Sequence, residues 1–326
     1  MVFLPIALSA QDPGKTAIPL DHFYVKPRHG TNIFRRVLRD FHFGLYTGYG
    51  RTFFNNQLTG FNIYQAPGGL PELFVGSTAK RYTNWVNNAG TDTLTNGSYY
   101  TAGTSNLGFK GHAFNIPLAA TVHYEFNRYR IGGGYSYEMM SIGTLHSKTF
   151  SNAIHDMKPS SSTGFVRKYW GSFGVSFYRW NDFLFTGDVQ VGSYKLKGNY
   201  NAAQVTPSTY FNLGVTVERN LSEYFKVYAR PAYEIKSYDL AIPGSGKSVH
   251  YNVNALYVNV GFTYSIPELP RCFLKDCHAQ INHAHGNKEY RSSRHPIYKK
   301  QNPGYGENDP VLIKYKGKNR NKLNPY

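Results

Sequence analysis

Eight stretches of alternating polar and apolar residues occupy the middle of this chain, and the connections between them run long, short, long, short, long, short, long. The stretches lie at 41–53, 113–126, 129–143, 165–179, 183–197, 209–219, 224–238 and 251–266. The connections span roughly 59, 2, 21, 3, 11, 4 and 12 residues in turn. Strands that thread a bilayer up and down send every second connection to the same side, tight turns to one and longer loops to the other. The rhythm therefore predicts an all-β fold, an eight-stranded antiparallel up-and-down transmembrane β-barrel over 41–266. Both chain ends are expected on the side of the short turns, and the long loop 54–112 on the opposite side.

Composition excludes the main alternatives. Of 326 residues, 32 are Gly, 28 Tyr and 22 Phe, while only 17% are charged, a poor match to a soluble enzyme. No run of about 18 apolar residues is present, which excludes a spanning helix. Residues 1–10, MVFLPIALSA, resemble the end of a secretory signal peptide, and 11–40 then form a segment on the short-turn side.

Alternation assigns faces, because neighbouring strand residues point to opposite sides of a sheet. Ile116, Leu118, Ala120, Val122, Tyr124 and Phe126 share one face of their segment, and Thr121, His123 and Glu125 the other. Aromatics collect beside the short turns, as at Tyr124, Phe126 and Tyr129, at Phe177, Trp180 and Phe183, at Tyr224 and Phe225, and at Tyr264. Such girdles mark the membrane interface of a barrel. The same alternation turns both signs of charge inward: Glu125, Glu138, Asp188, Glu218 and Glu234 against Arg130, Lys168, Lys226 and Arg230. Buried charges require partners, so these residues are expected to form a barrel-interior ion network. Tyr46, Trp170, Tyr178 and Tyr228 are expected inside as well. An eight-stranded barrel is just wide enough for side chains to fill it. Paired inward carboxylates could serve acid/base chemistry, but no Ser-His-Asp arrangement supports that, and an ion-paired core is the reading adopted. No enzyme activity and no cofactor are expected.

The hairpin IPLAATVHYEFNRYRIGGGYSYE (116–138) and the last segment together resemble the small eight-stranded outer-membrane barrels, the group that includes OmpA-like and OmpW-like proteins. Within that last segment, Asn259-x-Gly261-x-x-Tyr264-x-Ile266 resembles the signal by which the outer-membrane assembly machinery recognises terminal strands. The resemblance covers the barrel and implies outer-membrane lipid as solvent and a periplasmic location for both termini. It stops at Pro267, and the helical peptidoglycan-binding domain that follows an OmpA barrel is not found. Long basic tails behind small barrels also resemble accessory subunits of Bacteroidota envelope complexes for secretion or barrel assembly.

Residues 267–326 carry 12 Lys+Arg and 5 Asp+Glu, a large share of the chain's +17. Their low apolar content argues against an ordinary core, so an extended basic periplasmic tail laid over a partner is expected. Candidate partner-binding residues are Arg291, Arg294, Lys299, Lys300, Lys314, Lys316, Lys318, Arg320 and Lys322. A basic segment often indicates nucleic acid, but export removes that partner. A periplasmic or outer-membrane protein is the leading partner, with peptidoglycan also possible. Cys272 and Cys277 are a disulfide candidate in an oxidising compartment; with His278, His283 and His285 they also offer zinc-type ligands at an uncommon spacing. The function expected from the sequence is therefore a non-enzymatic barrel that anchors or assists an envelope protein complex. The alternative is a small channel or apolar-ligand transporter of OmpW type.

Overall fold

The computed structural model describes residues 33–75, 78–82, 97–101, 107–157, 162–181, 183–198, 200, 202–222, 224–242, 246–285, 288–291 and 301. The signal-like residues 1–10 lie outside them. Eight long strands carry the fold: β1 (Phe41–Gln57), β2 (Phe109–Phe126), β3 (Tyr129–Ile142), β4 (Thr163–Trp180), β5 (Phe183–Lys197), β6 (Tyr210–Asn220), β7 (Phe225–Ile235) and β8 (Lys247–Ser265). Each pairs antiparallel with the next, and β1 pairs with β8 from His42↔Ser265 to Gln57↔His250. The eight strands fall on the eight alternating segments. Several extend further towards the long connections, as where β1 reaches Gln57 and β8 begins at Lys247.

The register of the ring follows from its pairs. Starting at Phe41, the row runs through Tyr124, Ile131, Phe173, Val189, Leu213, Tyr233 and Leu256. It returns to β1 at Arg51 rather than Phe41. That stagger tilts the strands by about 40° from the barrel axis, within the usual range for closed barrels.

Tight turns suit their residues. Asn127 and Asn181 adopt φ of 53° and 50° at two of the short turns, a conformation that asparagine tolerates and hairpins need. Close to the second of these the pairing slips, with Phe185 opposite Tyr178 but Thr186 opposite Ser176. Phe177 is the extra residue of this β-bulge, so Phe177 and Tyr178 both face outward. The inward placement expected for Tyr178 is thereby corrected: a bulge resets the alternation, and no local pattern announces it.

Outside, the barrel is apolar: Leu45, Leu118, Val122, Phe173, Val189, Leu213, Val215, Leu256, Val258 and Val260 are all exposed. From Phe43 to Phe53 the outward face climbs about 25 Å at ~3.3 Å per residue and this tilt, the height of the apolar band of a membrane barrel. Aromatic rings edge the short-turn end in a near-continuous row, Phe41–Tyr124 at 5.2 Å, Phe126–Tyr129 at 5.5 Å and Phe225–Tyr264 at 5.4 Å. Towards the other edge, outward Arg51 and Arg167 lie over the Phe53 and Tyr137 rings, their stems lying along the apolar surface. An exterior of this kind is stable against hydrocarbon. Leu213→Arg, near mid-height, is accordingly expected to cost about 2–4 kcal/mol in lipid. Equilibrium unfolding from bilayers measures it, and a loss near zero would place Leu213 outside the membrane.

The described part of the first long connection has regular structure of its own. It holds a four-stranded sheet of Asn62–Gln65, Glu72–Val75, Thr78–Tyr82 and Ser98–Tyr100. Leu58, Phe61, Ile63, Leu73, Leu107 and Phe109 are buried there, against Leu145, Ile154 and Met157 of the next long connection. These loop residues belong to one buried cluster with the inward residues Tyr194, Tyr210, Tyr238 and Tyr251, an apolar cap continuous with the barrel interior.

At the short-turn end a helix, α1 (Ile33–Arg39), precedes β1. Arg39 and Arg36 pair with buried Glu268, just past β8. Beyond it, the described tail residues 268–285 and 288–291 are largely irregular but fold back locally, and the rest of the tail except Gln301 lies outside the described residues. His283–His285 and Lys288–Tyr290 form a two-stranded ribbon, Arg291 returns to donate to the Pro270 carbonyl, and its guanidinium covers Tyr224 on the barrel rim at 4.6 Å.

Candidate functional site

Two places gather chemistry-bearing side chains, the barrel lumen and the start of the tail. The lumen is built in layers, because inward residues at similar height on different strands meet across the axis. Nearest the short turns, Glu125 is met by Arg130 at 2.5 Å, Lys226 at 3.0 Å, His42 at 3.1 Å and His123 at 3.2 Å. Glu218 shares the same two cations, at 2.8 Å from Arg130 and 3.5 Å from Lys226. His42, His123 and Glu125 are types that could hold a metal. The two cations already on that carboxylate oppose a third positive charge.

At the waist, Asp188 accepts from Arg230 Nε at 2.8 Å and from the Thr216 hydroxyl at 2.7 Å, while Arg230 also reaches Asn212 at 2.7 Å. Gly214 makes this possible: a Cβ there would meet the Arg230 guanidinium at 2.6 Å. Above, Lys168 lies 2.8 Å from both Glu138 and Glu234, and Lys236 lies 2.6 Å from Glu234. Tyr257 donates to Glu138 at 2.6 Å and accepts from Lys168 at 3.1 Å. Asn115 also donates to Glu138.

The nine inward charges expected from alternation thus meet in three layers. Lys236 completes them, giving two acids and two cations below, one pair at the waist, and two of each above. Sequence reasoning missed Lys236, although its spacing from Lys226, Arg230 and Glu234 placed it on the same face. Among the described residues the lumen contains voids with about 20 and 60 Å³ of space for water centres, both bordered by Tyr46, Trp170, Gln190 and Arg230. They have room for about one and a few waters. Above the upper layer, Tyr194, Tyr210, Tyr238 and Tyr251 are buried, and Tyr238 stacks on Tyr251 at 4.8 Å. Among the described residues, two ion-paired layers, the waist pair and these buried tyrosines thus fill the lumen in series.

The terminal-strand residues have separate surroundings. Asn259 is buried inward, and Gly261 leaves room for Tyr46 and Tyr228. Tyr264 faces outward in the girdle, and Ile266 lies past the end of β8. Of the partner-binding candidates, Arg291 sits on Tyr224. Arg294, Lys299, Lys300, Lys314, Lys316, Lys318, Arg320 and Lys322 lie outside the described residues.

At the start of the tail, Cys272, Cys277, His283 and His285 present ligand atoms that all lie within 4.8 Å of one another. His278 is not among them. Both thiols are free.

No protein-family signature matches the chain, and no curated protein matches it either. Among solved structures it is similar to the outer-membrane protein AlkL at 9% identity and TM-score 0.36, over 77% of this chain and 98% of that one. The outer membrane protein OprG from Pseudomonas aeruginosa is similar at 11% identity and TM-score 0.34, over 68% and 94%. The outer membrane protease OmpT from Escherichia coli is similar at 12% identity and TM-score 0.30, over 69% and 96%. At such values no activity carries over to this chain.

Proposed function

We propose that this chain is a non-enzymatic outer-membrane barrel that anchors an envelope protein complex and docks a partner through its basic tail. The observation that carries this reading is a lumen filled by charge-balanced layers and capped, which leaves binding to the surfaces. An apolar exterior with aromatic edges supports the membrane, and short turns beside both described ends support a periplasmic tail. The partner is a periplasmic or outer-membrane protein with an acidic face, matched to the excess of cations in 267–326. Peptidoglycan is the other anionic surface within reach, and a Bacteroidota secretion or assembly complex is the setting most like this architecture.

Affinity purification from native membranes tests the reading with the full chain and a variant lacking 292–326. This variant keeps the ordered start of the tail, and heat-modifiable migration on gels verifies its barrel. Proteins recovered with the full chain are expected to be lost from the truncated one. The same set in both, or none in either, would sink the proposal.

A further inference from the structure

We propose that Cys272, Cys277, His283 and His285 form a tetrahedral zinc site that staples the first part of the tail into a folded module. The chain brings the four together by local means. The Cys277 amide donates to the Leu274 carbonyl at 3.3 Å, a tight turn that folds the second cysteine back towards the first. His283 and His285 are two apart on one strand, so both side chains leave the same face.

The geometry fits a metal of this type. Ligand atoms around tetrahedral zinc lie about 3.3–3.8 Å apart, given Zn–S and Zn–N bonds of about 2.3 and 2.0–2.1 Å. The four ligand atoms here already lie within 4.8 Å of one another, and Cys277 Sγ is 3.1 Å from His283 Nε2. Two thiolates and two neutral imidazoles balance a divalent charge without any carboxylate, a set that suits zinc and not magnesium or calcium.

Two further observations point to a ligand. His283 Nδ1 donates to the Ile281 carbonyl at 3.0 Å. This is the outer hydrogen bond that fixes a metal-binding tautomer and leaves Nε2 its lone pair. His285 Nε2 is buried and has no hydrogen-bond partner, a costly position for a ring nitrogen unless something binds there. The Phe273 and Tyr290 rings lie 6.0 and 5.8 Å from the His285 ring and shield it. A Cys272–Cys277 disulfide, the competing chemistry, would consume both sulfurs and still leave His285 Nε2 unpaired. A metal uses all four groups. It also supplies the crosslink that a short polar module needs in place of a core.

The test uses the full-length chain in detergent, reduced and stripped of metal, titrated with zinc alone and with cobalt(II) as a spectroscopic probe. One equivalent is expected to bind, and the cobalt form is expected to show thiolate charge-transfer bands and intense tetrahedral visible bands. His285→Ala should weaken binding at least about tenfold, and Cys272→Ser with Cys277→Ser should abolish it. Heat-modifiable migration verifies that each variant keeps its barrel. Three results would overturn the site: no stoichiometric uptake by the reduced chain, uptake unchanged in the double serine variant, or native protein carrying an intact Cys272–Cys277 disulfide and no zinc.

Discussion

Lys168→Met is expected to destabilise the barrel by about 3–5 kcal/mol, the cost of removing one partner from a buried ion pair. Lys168 is 4% exposed and bridges Glu138 and Glu234, each at 2.8 Å. Without it the upper layer holds two carboxylates and a single cation, Lys236, whose contact is with Glu234. Glu138 would keep only the neutral donors Asn115 and Tyr257. Methionine fills most of the lysine volume, so the loss reports charge rather than packing. Adding Glu138→Gln to Lys168→Met should recover part of it, because the layer becomes balanced again. Lys195 faces outward on the neighbouring strand, directly opposite Arg167, and Lys195→Gln should change stability by no more than about 0.5 kcal/mol. Urea unfolding in lipid measures all three variants. A Lys168→Met loss below about 1 kcal/mol would mean that the layer is hydrated and screened.

Trp170→Ala is expected to cost about 3–5 kcal/mol, as for a large aromatic removed from a packed interior. Trp170 is 7% exposed and borders both lumenal voids. Its removal should join them into one water-filled chamber. Current should still not flow, because the Glu125–Arg130–Glu218–Lys226 layer closes one end and the tyrosine cap the other. Planar bilayers carrying the native chain or this variant should therefore show no stepwise conductance. Steps in the native chain would overturn the sealed lumen and favour the channel reading. Silence together with an undiminished stability would mean that Trp170 does not hold the waist.

Part of the lumen could be read residue by residue. Glu125, Glu138, Asp188, Glu218, Glu234, Arg130, Lys168, Lys226 and Arg230 all declared themselves by parity with apolar neighbours. Tyr178 misled because a one-residue bulge at Phe177 reverses parity without a composition signal. His42 and Tyr257 were missed as members of the network. A histidine or tyrosine between apolar residues carries no charge pattern to mark it as a hydrogen-bonding partner. The start of the tail read as too polar to fold, since a module held by a few side chains, with little apolar area, leaves no periodic trace.

The number and order of the eight barrel strands, and their inside and outside wherever no bulge intervenes, follow from the sequence alone, because a period of two and a rhythm of short and long connections are local properties. The tertiary structure decided the rest. The stagger that carries the row from Phe41 back to Arg51 sets which heights coincide, and so pairs Lys168 with Glu138 and Glu234 rather than with the acids below. The cap and the Cys-His cluster depend likewise on backbone paths that bring distant residues together. Charge and ligand chemistry act over a few ångströms in space, and distance along the chain does not report that separation.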